Sequence, residues 1–210
     1  MISILNYGMG NIRSIQNALN YIEIENNIIE KPEKIIEAEK IILPGVGSFG
    51  KAMENMEKRG IINPLNEAVL DKKIPVLGIC LGMQLLAEGS EEDGMAEGFG
   101  WINGVFKKFI AKETKIKVPH VGFNEVVFKE KSNPLFKNIK NKSDFYFVHS
   151  YRLSYDECDF FSSWSEYGGR FVSSVERENI FGTQFHPEKS QSNGLTILRN
   201  FASFNEQEKN

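Results

Sequence analysis

The chain contains little of what marks secreted, membrane or metal-binding proteins. Its 210 residues include two cysteines, Cys80 and Cys158, and three histidines, which are too few for a disulfide framework or a recognisable set of metal ligands. No apolar run approaches the roughly 20 residues that cross a membrane, and the first residues lack the basic and apolar regions of a signal peptide. We therefore expect a reduced, cytoplasmic protein with no membrane segment, no metal and no cofactor.

Neither the charge nor the composition is extreme. The formal net charge is −3 and the pI is about 5.8, so the chain lacks the basic surface expected of a protein that binds nucleic acid. Hydrophobic residues make up 41% and charged residues 25% of the chain, as in ordinary soluble globular proteins. The length predicts one domain, which we place at residues 1–204, followed by a polar tail at 205–210.

The order of the predicted elements indicates an α/β fold. The first half alternates strands and helices, with strands at Ile2–Leu5, at Lys40–Leu43 and before Cys80, and helices at 12–22, at 49–71 with breaks near Gly60 and Pro64, and at 81–88. The second half is richer in strands, at 104–110, 124–129, 144–148, 160–164, 171–175 and 180–185, before a closing helix at 194–204. This pattern predicts three layers, with a mostly parallel central sheet between helices and extra antiparallel strands in the second half. The charged loop Glu91–Gly94 is interpreted as solvated surface.

The most informative segment surrounds Cys80. A buried-looking strand runs into the turn Gly78-Ile79-Cys80-Leu81-Gly82, and an apolar helix follows; this is the cysteine form of a nucleophile elbow. Such a turn is too sharp for side chains at both flanking positions, which explains the two glycines. It places the Leu81 N–H and the positive end of the helix beside the sulfur, where they favour a thiolate and can stabilise an oxyanion. The alternative is a buried core cysteine beside a tight turn.

A second segment supplies a base and a carboxylate. Residues 180–188 read as a strand followed by His186-Pro187-Glu188. Pro187 holds His186 in an extended conformation, and in extended chain the side chains at i and i+2 point the same way. His186 and Glu188 are therefore expected to act together, with the carboxylate orienting the imidazole behind Cys80.

The glycine-rich loop Pro44–Gly50 follows a strand and opens a helix. Such a loop can cradle a phosphate, but it lacks the Gly-Lys-Ser/Thr ending of a Walker motif. Beside an elbow we interpret it as a second source of oxyanion donors, carried by backbone N–H groups near Gly45 and Val46.

Together these motifs resemble those of the class I glutamine amidotransferases, whose glutaminase domains carry a Cys-His-Glu triad on a flavodoxin-like fold. The elbow at 78–84, the loop at 44–47 and Gln-Phe-His-Pro-Glu at 184–188 match in order and span nearly the whole chain. Within that family, the segments at 6–11, 119–124 and 189–190 are similar to those of the glutaminase subunits of histidine biosynthesis.

The resemblance implies a role for each residue of these motifs. The implied catalytic residues are Cys80, His186 and Glu188, and the implied oxyanion donors lie at Gly45, Val46 and Leu81. The residues implied to hold L-glutamine are Gly47, Gln84, His149, Ser150 and Tyr151. The implied partner is a (β/α)8-barrel cyclase subunit in a heterodimer, contacted by Asn11, Phe123 and Lys189.

One departure from the family pattern concerns the implied interface, where Phe123 replaces the usual tryptophan and offers no N–H donor. This substitution leaves open a paralogous subunit that supplies ammonia for amidation of a surface-sugar precursor. Two further alternatives are a stand-alone γ-glutamyl hydrolase or peptidase and a non-catalytic regulatory subunit. The intact Cys80, His186 and Glu188 argue against the regulatory subunit.

Overall fold

The computed structural model describes residues 1–110, 116–128 and 134–205. The strands are β1 Ile2–Leu5, β2 Asn26–Ile29, β3 Ile41–Leu43, β4 Val76–Ile79, β5 Gly89–Ser90, β6 Ala96–Glu97, β7 Val105–Lys108, β8 His120–Phe128, β9 Ser143–His149, β10 Tyr151–Arg152, β11 Phe161–Glu166, β12 Arg170–Arg177 and β13 Ile180–Thr183. The α-helices are α1 Ile12–Tyr21, α2 Phe49–Lys58, α3 Ile62–Asn66, α4 Leu81–Leu85 and α5 Gln191–Ser203. Short 3₁₀ turns lie at Pro32–Glu37, Pro134–Phe136, Tyr155–Glu157 and Pro187–Lys189.

Within the described residues the strands form one large and one small sheet. The large sheet has nine strands in the order β2-β1-β3-β4-β13-β12-β11-β8-β9. Its first five strands are parallel, and the remaining four join in antiparallel pairs. The small sheet has the order β10-β7-β5-β6. The predicted α/β class, with antiparallel strands added in the second half, is confirmed.

Alternate side chains of the parallel strands enter two separate cores, one on each face of the large sheet. Leu43 and Val76 belong to a cluster with residues of α2 and α3. Their neighbours Ile42 and Leu77 belong to a second cluster with residues of α1 and α5. This separation follows from the two-residue period of a strand, and it explains why both faces need a layer of helices.

Several helix predictions are wrong in detail. The closing helix begins at Gln191, three residues before its predicted start at 194. Pro64 does not break the second helical region, because it lies in the first turn of α3, where a backbone N–H has no partner within the helix. The helical backbone then continues into a π-helical turn at Glu67–Asp71. The helix after Cys80 ends at Leu85, earlier than the predicted residue 88.

The strand predictions differ in several places. Three strands of two residues each, β5, β6 and β10, were not predicted, because they are too short to show an alternating pattern. β13 ends at Thr183, two residues before its predicted end. β2 was not predicted, because Asn26 and Asn27 interrupt the apolar pattern of what is an edge strand. β8 begins at His120, four residues before the predicted start. Residue 129 of that predicted strand and residues 206–210 of the predicted tail lie outside the described residues, and the division into one domain and a tail stays a prediction.

Four connections meet at the carboxyl edge of the parallel strands. Tyr7 follows β1, Pro44 follows β3, Cys80 follows β4, and His186 lies three residues beyond β13. Because β1, β3, β4 and β13 are consecutive in the sheet, their carboxyl ends form one crevice of the kind in which open α/β sheets bind ligands.

Candidate active site

Cys80 occupies a strained turn between β4 and α4. Its φ of 54° and ψ of −109° lie outside the regions that most side chains adopt. The flanking glycines are sterically required: a Cβ on Gly78 would lie 2.6 Å from the Gly82 carbonyl oxygen, and one on Gly82 would lie 1.9 Å from the Leu43 carbonyl oxygen. The backbone of the turn is tied to the sheet by a 2.7 Å hydrogen bond from the Cys80 N–H to the Thr183 carbonyl.

His186 and Glu188 form a buried pair. His186 Nδ1 lies 2.8 Å from Glu188 Oε1, and both side chains are almost fully buried. Extended backbone at His186 followed by the 3₁₀ turn that starts at Pro187 brings the two side chains together. Among the described residues, His186 Nε2 has no hydrogen-bond partner, so this nitrogen is available on the side of the ring away from Glu188.

The surroundings of His186 favour its protonated form. Burial acts to lower the pKa of His186, but its interactions with Cys80 and Glu188 outweigh burial and raise that pKa to about 10. The imidazole therefore carries a proton at neutral pH, and Glu188 fixes which nitrogen points toward Cys80.

Gln184 is a buried residue to which the sequence interpretation gave no role. Its Nε2 lies 3.7 Å from Cys80 Sγ, and its Oε1 accepts a 3.1 Å hydrogen bond from Gln84 Nε2. The Val148 carbonyl lies 3.7 Å from Cys80 Sγ on another side. Gln184 was missed because no motif residue next to it in the sequence indicates a contact with the sulfur. Strand alternation from His186 was the available signal.

The loop after β3 has a buried half and an exposed half. Pro44 and Gly45 are buried, whereas Val46 and Gly47 are exposed. A Cβ on Gly45 would lie 2.7 Å from Leu81 Cβ, so this residue packs directly on the start of α4. Gly47 has a φ of 106°, a conformation that favours glycine.

A pocket of about 330 Å³ opens beside Cys80. The residues predicted to bind substrate line it, together with Cys80, His186 and part of the glycine-rich loop. The lining includes Val46, Gly47, Cys80, Leu81, Gln84, Pro119, Val148, His149, Ser150, Tyr151 and His186. Glu92 also lines the pocket and accepts a 2.8 Å hydrogen bond from the Phe49 N–H. The interpretation of Glu91–Gly94 as plain solvated surface is therefore wrong at Glu92, because the loop folds back over the start of α2.

His149 and His120 form a hydrogen-bonded chain behind the pocket. His149 Nδ1 lies 2.8 Å from the Tyr151 carbonyl, which can only accept, so this nitrogen carries the proton. His149 Nε2 then accepts from His120 Nδ1 at 3.0 Å. Burial lowers the pKa of His149 to about 3 and that of His120 to about 4. The wall of the pocket is thus neutral imidazole, which adds no positive charge beside protonated His186.

Two of the three residues predicted to face a partner come together on the surface. The exposed ring of Phe123 contacts the ring of Tyr146 at a centroid distance of 5.5 Å. Exposed Lys189 places its Nζ 5.8 Å from the centre of the Tyr146 ring. Val121, on the same strand as Phe123, is 56% exposed. Asn11 is engaged differently, since its side chain caps α1 by accepting from the Ser14 N–H at 3.3 Å.

Two features are absent from the part of the chain that the structure describes. No helix there is long and apolar enough to span a membrane. In the same residues, no group of three or more His, Cys, Asp or Glu side chains is arranged to hold a metal ion.

Comparison with known proteins places this geometry in a family. The model of the family "Glutamine amidotransferase class-I" matches residues 3–203. The chain therefore belongs to the class-I glutamine amidotransferases, and it is an enzyme of the glutaminase type.

The chain is also similar to particular members of that family. It is 45% identical over 205 residues to imidazole glycerol phosphate synthase subunit HisH of Leptospira interrogans, with 97% of this chain and 100% of the relative covered. It is 47% identical over 204 residues to imidazole glycerol phosphate synthase subunit HisH 1 of Campylobacter jejuni, with coverage of 96% and 99%.

A solved structure supports the fold. The structure of PurLQS from Thermotoga maritima matches with a TM-score of 0.75 and 17% identity, covering 95% of this chain and 96% of that one. At this identity the match supports the fold and nothing further.

Proposed function

We propose that the chain is the glutaminase subunit of an imidazole glycerol phosphate synthase, and that it hydrolyses L-glutamine to glutamate and ammonia. The observation that carries the proposal is one pocket lined by Cys80 and His186, with the Glu188 carboxylate hydrogen-bonded to the His186 imidazole. The similarity over the full length to synthase subunits supports the choice of pathway.

The proposed chemistry begins with attack of the Cys80 thiolate on the carboxamide carbon of glutamine, while His186 is already protonated. The electron pair of the carbonyl moves to its oxygen, and His186 Nε2–H gives its proton to the amide nitrogen. The C–N bond breaks, ammonia leaves and a glutamyl thioester remains. His186, now neutral, takes a proton from water as the water oxygen attacks the thioester carbon. The C–S bond then breaks, glutamate leaves, and Cys80 returns to the thiolate beside protonated His186. The hydrogen bond from His186 Nδ1–H to Glu188 keeps Nε2 directed at the reaction throughout.

The negative oxygen needs donors at the mouth of the elbow. Leu81 is the first residue of α4, so its N–H has no partner within the helix and lies at the positive end of the helix dipole. Val46, on the exposed half of the neighbouring loop, offers a second N–H, and buried Gly45 supports it from below. A single donor of this kind is worth about 10²–10³-fold in kcat.

The amino-acid end of glutamine requires an acceptor for its α-ammonium group and hydrogen-bond donors for its α-carboxylate. Glu92 is the acidic residue of the pocket lining and can pair with the α-ammonium group. Ser150 and Tyr151 bring a hydroxyl group and backbone groups to the opposite wall, beside neutral His149, and Gln84 offers an amide. Gly47, without a side chain, leaves room at the entrance.

Ammonia is useful only when it reaches its acceptor unprotonated, so a partner that seals the exit is physically expected. We infer a (β/α)8-barrel cyclase subunit, which docks on the surface formed by Phe123, Tyr146 and Lys189, with Asn11 at its edge. The complex is a cytoplasmic heterodimer that uses neither nucleic acid, membrane nor cofactor.

The phenylalanine at position 123 supports one competing assignment, in which the ammonia goes to a different acceptor. Its exposed phenyl ring offers no N–H to a partner, which favours a paralogue that supplies ammonia to a surface-sugar amidotransferase. The two assignments share the same glutaminase chemistry and differ in the partner alone.

Reconstitution distinguishes these assignments. The chain is mixed with the imidazole glycerol phosphate synthase cyclase subunit of the same organism and its phosphoribosyl-formimino aminoimidazole carboxamide nucleotide, and glutamine-dependent formation of imidazole glycerol phosphate is measured. We expect turnover with glutamine at neutral pH. With Lys189→Ala in place of the wild type, the cyclase subunit and its nucleotide should stimulate glutamine hydrolysis less. The matched control is Lys51→Ala, an exposed lysine of α2. Glutamine hydrolysis without product formation would instead assign the chain to another acceptor.

A further inference from the structure

Tyr7 lies beneath the glycine-rich loop and is completely buried. Because β1 and β3 are neighbouring parallel strands, their carboxyl ends bring Tyr7 next to Pro44 across 37 residues of sequence. The Tyr7 hydroxyl donates a 2.8 Å hydrogen bond to the Pro44 carbonyl oxygen. The glutaminase chemistry described above assigns no role to this contact.

The Tyr7 hydroxyl is a permanent donor. Burial raises the pKa of Tyr7 well above its ordinary value, and nearby Cys80 raises it further. The hydroxyl therefore keeps its proton at any pH at which the enzyme works. The contribution from Cys80 also shows that the two residues are electrostatic neighbours.

The inner half of the loop is held between Tyr7 and the elbow. A Cβ on Gly45 would lie 2.7 Å from the Gly82 nitrogen and 2.9 Å from the Tyr7 hydroxyl oxygen. Real Cβ contacts are not this short, so position 45 has no room for a side chain and Gly45 packs directly against the elbow and Tyr7. The hydrogen bond to the Pro44 carbonyl also fixes the plane of the Pro44–Gly45 peptide, since a peptide unit is planar.

The outer half of the loop has freedom that the inner half lacks. Val46 and Gly47 are exposed and line the pocket. Among the described residues other than its two chain neighbours, one atom lies within 4 Å of a Cβ built on Gly47, the terminal methyl of Met9, at 2.7 Å. The backbone at Gly47 therefore has one flexible side-chain end beside it, whereas Gly45 is packed against the backbone of α4, Leu81 and Tyr7.

We propose that Tyr7 is a positioning residue for the oxyanion site: it anchors Pro44 and Gly45 so that the Val46 N–H is delivered to the correct place and only the outer half of the loop moves. The inference rests on the proposed function, because it assumes that this loop donates to the oxyanion of a glutamine amide. Tyr7 acts through the loop and does not touch the substrate.

The test is Tyr7→Phe in the complex with the cyclase and its nucleotide. This change keeps the ring and removes one donor. We expect kcat for glutamine hydrolysis to fall by about 10- to 100-fold with KM within about twofold, because the lost interaction matters only when the oxyanion forms.

A second readout separates positioning from local damage. Alkylation of Cys80 by iodoacetamide joins the sulfur to the methylene carbon and expels iodide, so it creates no oxyanion. Its rate should be unchanged in Tyr7→Phe. The matched control is Tyr167→Phe, which also removes a tyrosine hydroxyl that donates at 2.8 Å to a backbone carbonyl, that of Lys117; its kcat should equal that of the wild type.

The possible outcomes are distinct. An unchanged kcat in Tyr7→Phe overturns the positioning role of Tyr7. A fall in kcat together with slower alkylation and a higher KM also overturns it, because that combination indicates a collapsed site. If Tyr7→Phe fails to fold, Tyr7→Met fills similar space and carries the same test. Failure of both to fold overturns a positioning role in favour of a purely structural one. A wild-type complex that hydrolyses no glutamine contradicts the proposed function itself and with it the premise for Tyr7.

Discussion

His186 Nδ1 and Glu188 Oε1 lie 2.8 Å apart in a pair that is almost fully buried, and this contact orients the proposed general acid and base. We expect His186→Ala to lower kcat by about 10²–10⁴-fold, since it removes proton transfer from both steps. Glu188→Gln keeps the shape and should cost less, on the order of 10-fold, because it weakens the orientation and charge support of the imidazole but leaves the ring that transfers the proton in place. Steady-state kinetics on both variants and on the double variant provide the check. Equal, negligible effects would contradict the triad, and the double variant should show non-additive losses.

Cys80→Ala should abolish glutamine hydrolysis and leave binding of the cyclase subunit intact. The reason is placement: Cys80 lines the pocket, whereas Phe123 and Lys189 lie on the outer surface. Glutaminase assays and titration of the partner by calorimetry measure the two properties separately. The control is Cys158→Ala, a buried cysteine in the core that contains α2 and α3, which should retain activity. Turnover by Cys80→Ala would remove the assignment of the nucleophile.

Gly82→Ala should destabilise the fold by at least about 3 kcal/mol, because the added Cβ would lie 1.9 Å from the carbonyl oxygen of Leu43, a backbone atom of a central strand. Gly50→Ala is the matched control: it lies inside α2, and its Cβ would come no nearer than 3.9 Å to any neighbour. Replacing glycine by alanine within a helix should stabilise the protein slightly. Urea unfolding of both variants tests this. Comparable stabilities would contradict the close approach of the elbow to β3.

The two neutral histidines predict a loss of stability in acid. Burial lowers the pKa of His120 to about 4 and that of His149 to about 3, whereas both titrate at about 6.5 in an unfolded chain. Between these pH values the unfolded state binds more protons than the folded state, so the free energy of unfolding falls as the pH drops below about 6.5. Above about pH 6.5 these two residues do not make the free energy of unfolding depend on pH.

Urea titrations between pH 4 and 6 measure that slope. His120→Asn should reduce it by up to about one proton, or about 1.4 kcal/mol per pH unit. His186 itself contributes little to this slope, because its pKa is raised to about 10 in the folded state and the residue is mostly protonated in the unfolded state over this range. An identical slope in His120→Asn and the wild type would show that His120 is not buried in its neutral form.

Local geometry explains which parts of the site could be predicted. The elbow is encoded in five consecutive residues, because a turn with φ of 54° at Cys80 needs small neighbours on both sides. The pairing of His186 with Glu188 follows equally from the intervening proline. Both inferences need only the chain within a few residues of each functional group.

The parts that were not predicted depend on contacts between distant residues. Tyr7 meets Pro44 across 37 positions, Glu92 meets Phe49 across 43, and Gln184 meets Cys80 across 104. No local pattern distinguishes Glu92 from other carboxylates of its charged loop. Pro64 shows the same limit within a helix, since its effect depends on which turn it occupies.

We propose that this chain is a glutaminase whose site is completed by a cyclase partner. The rate of glutamine hydrolysis tests this when it is measured for the chain alone, for the chain with the cyclase subunit, and for the chain with the cyclase subunit and its nucleotide. The exposed Val46–Gly47 half of the loop can rotate, so we expect slow hydrolysis alone and a rise of about 10²–10³-fold or more when partner and ligand complete the oxyanion site. Full activity of the isolated chain would contradict this account and indicate a stand-alone hydrolase. No activity under any condition, with Cys80 shown to be reduced, would contradict the glutaminase assignment itself.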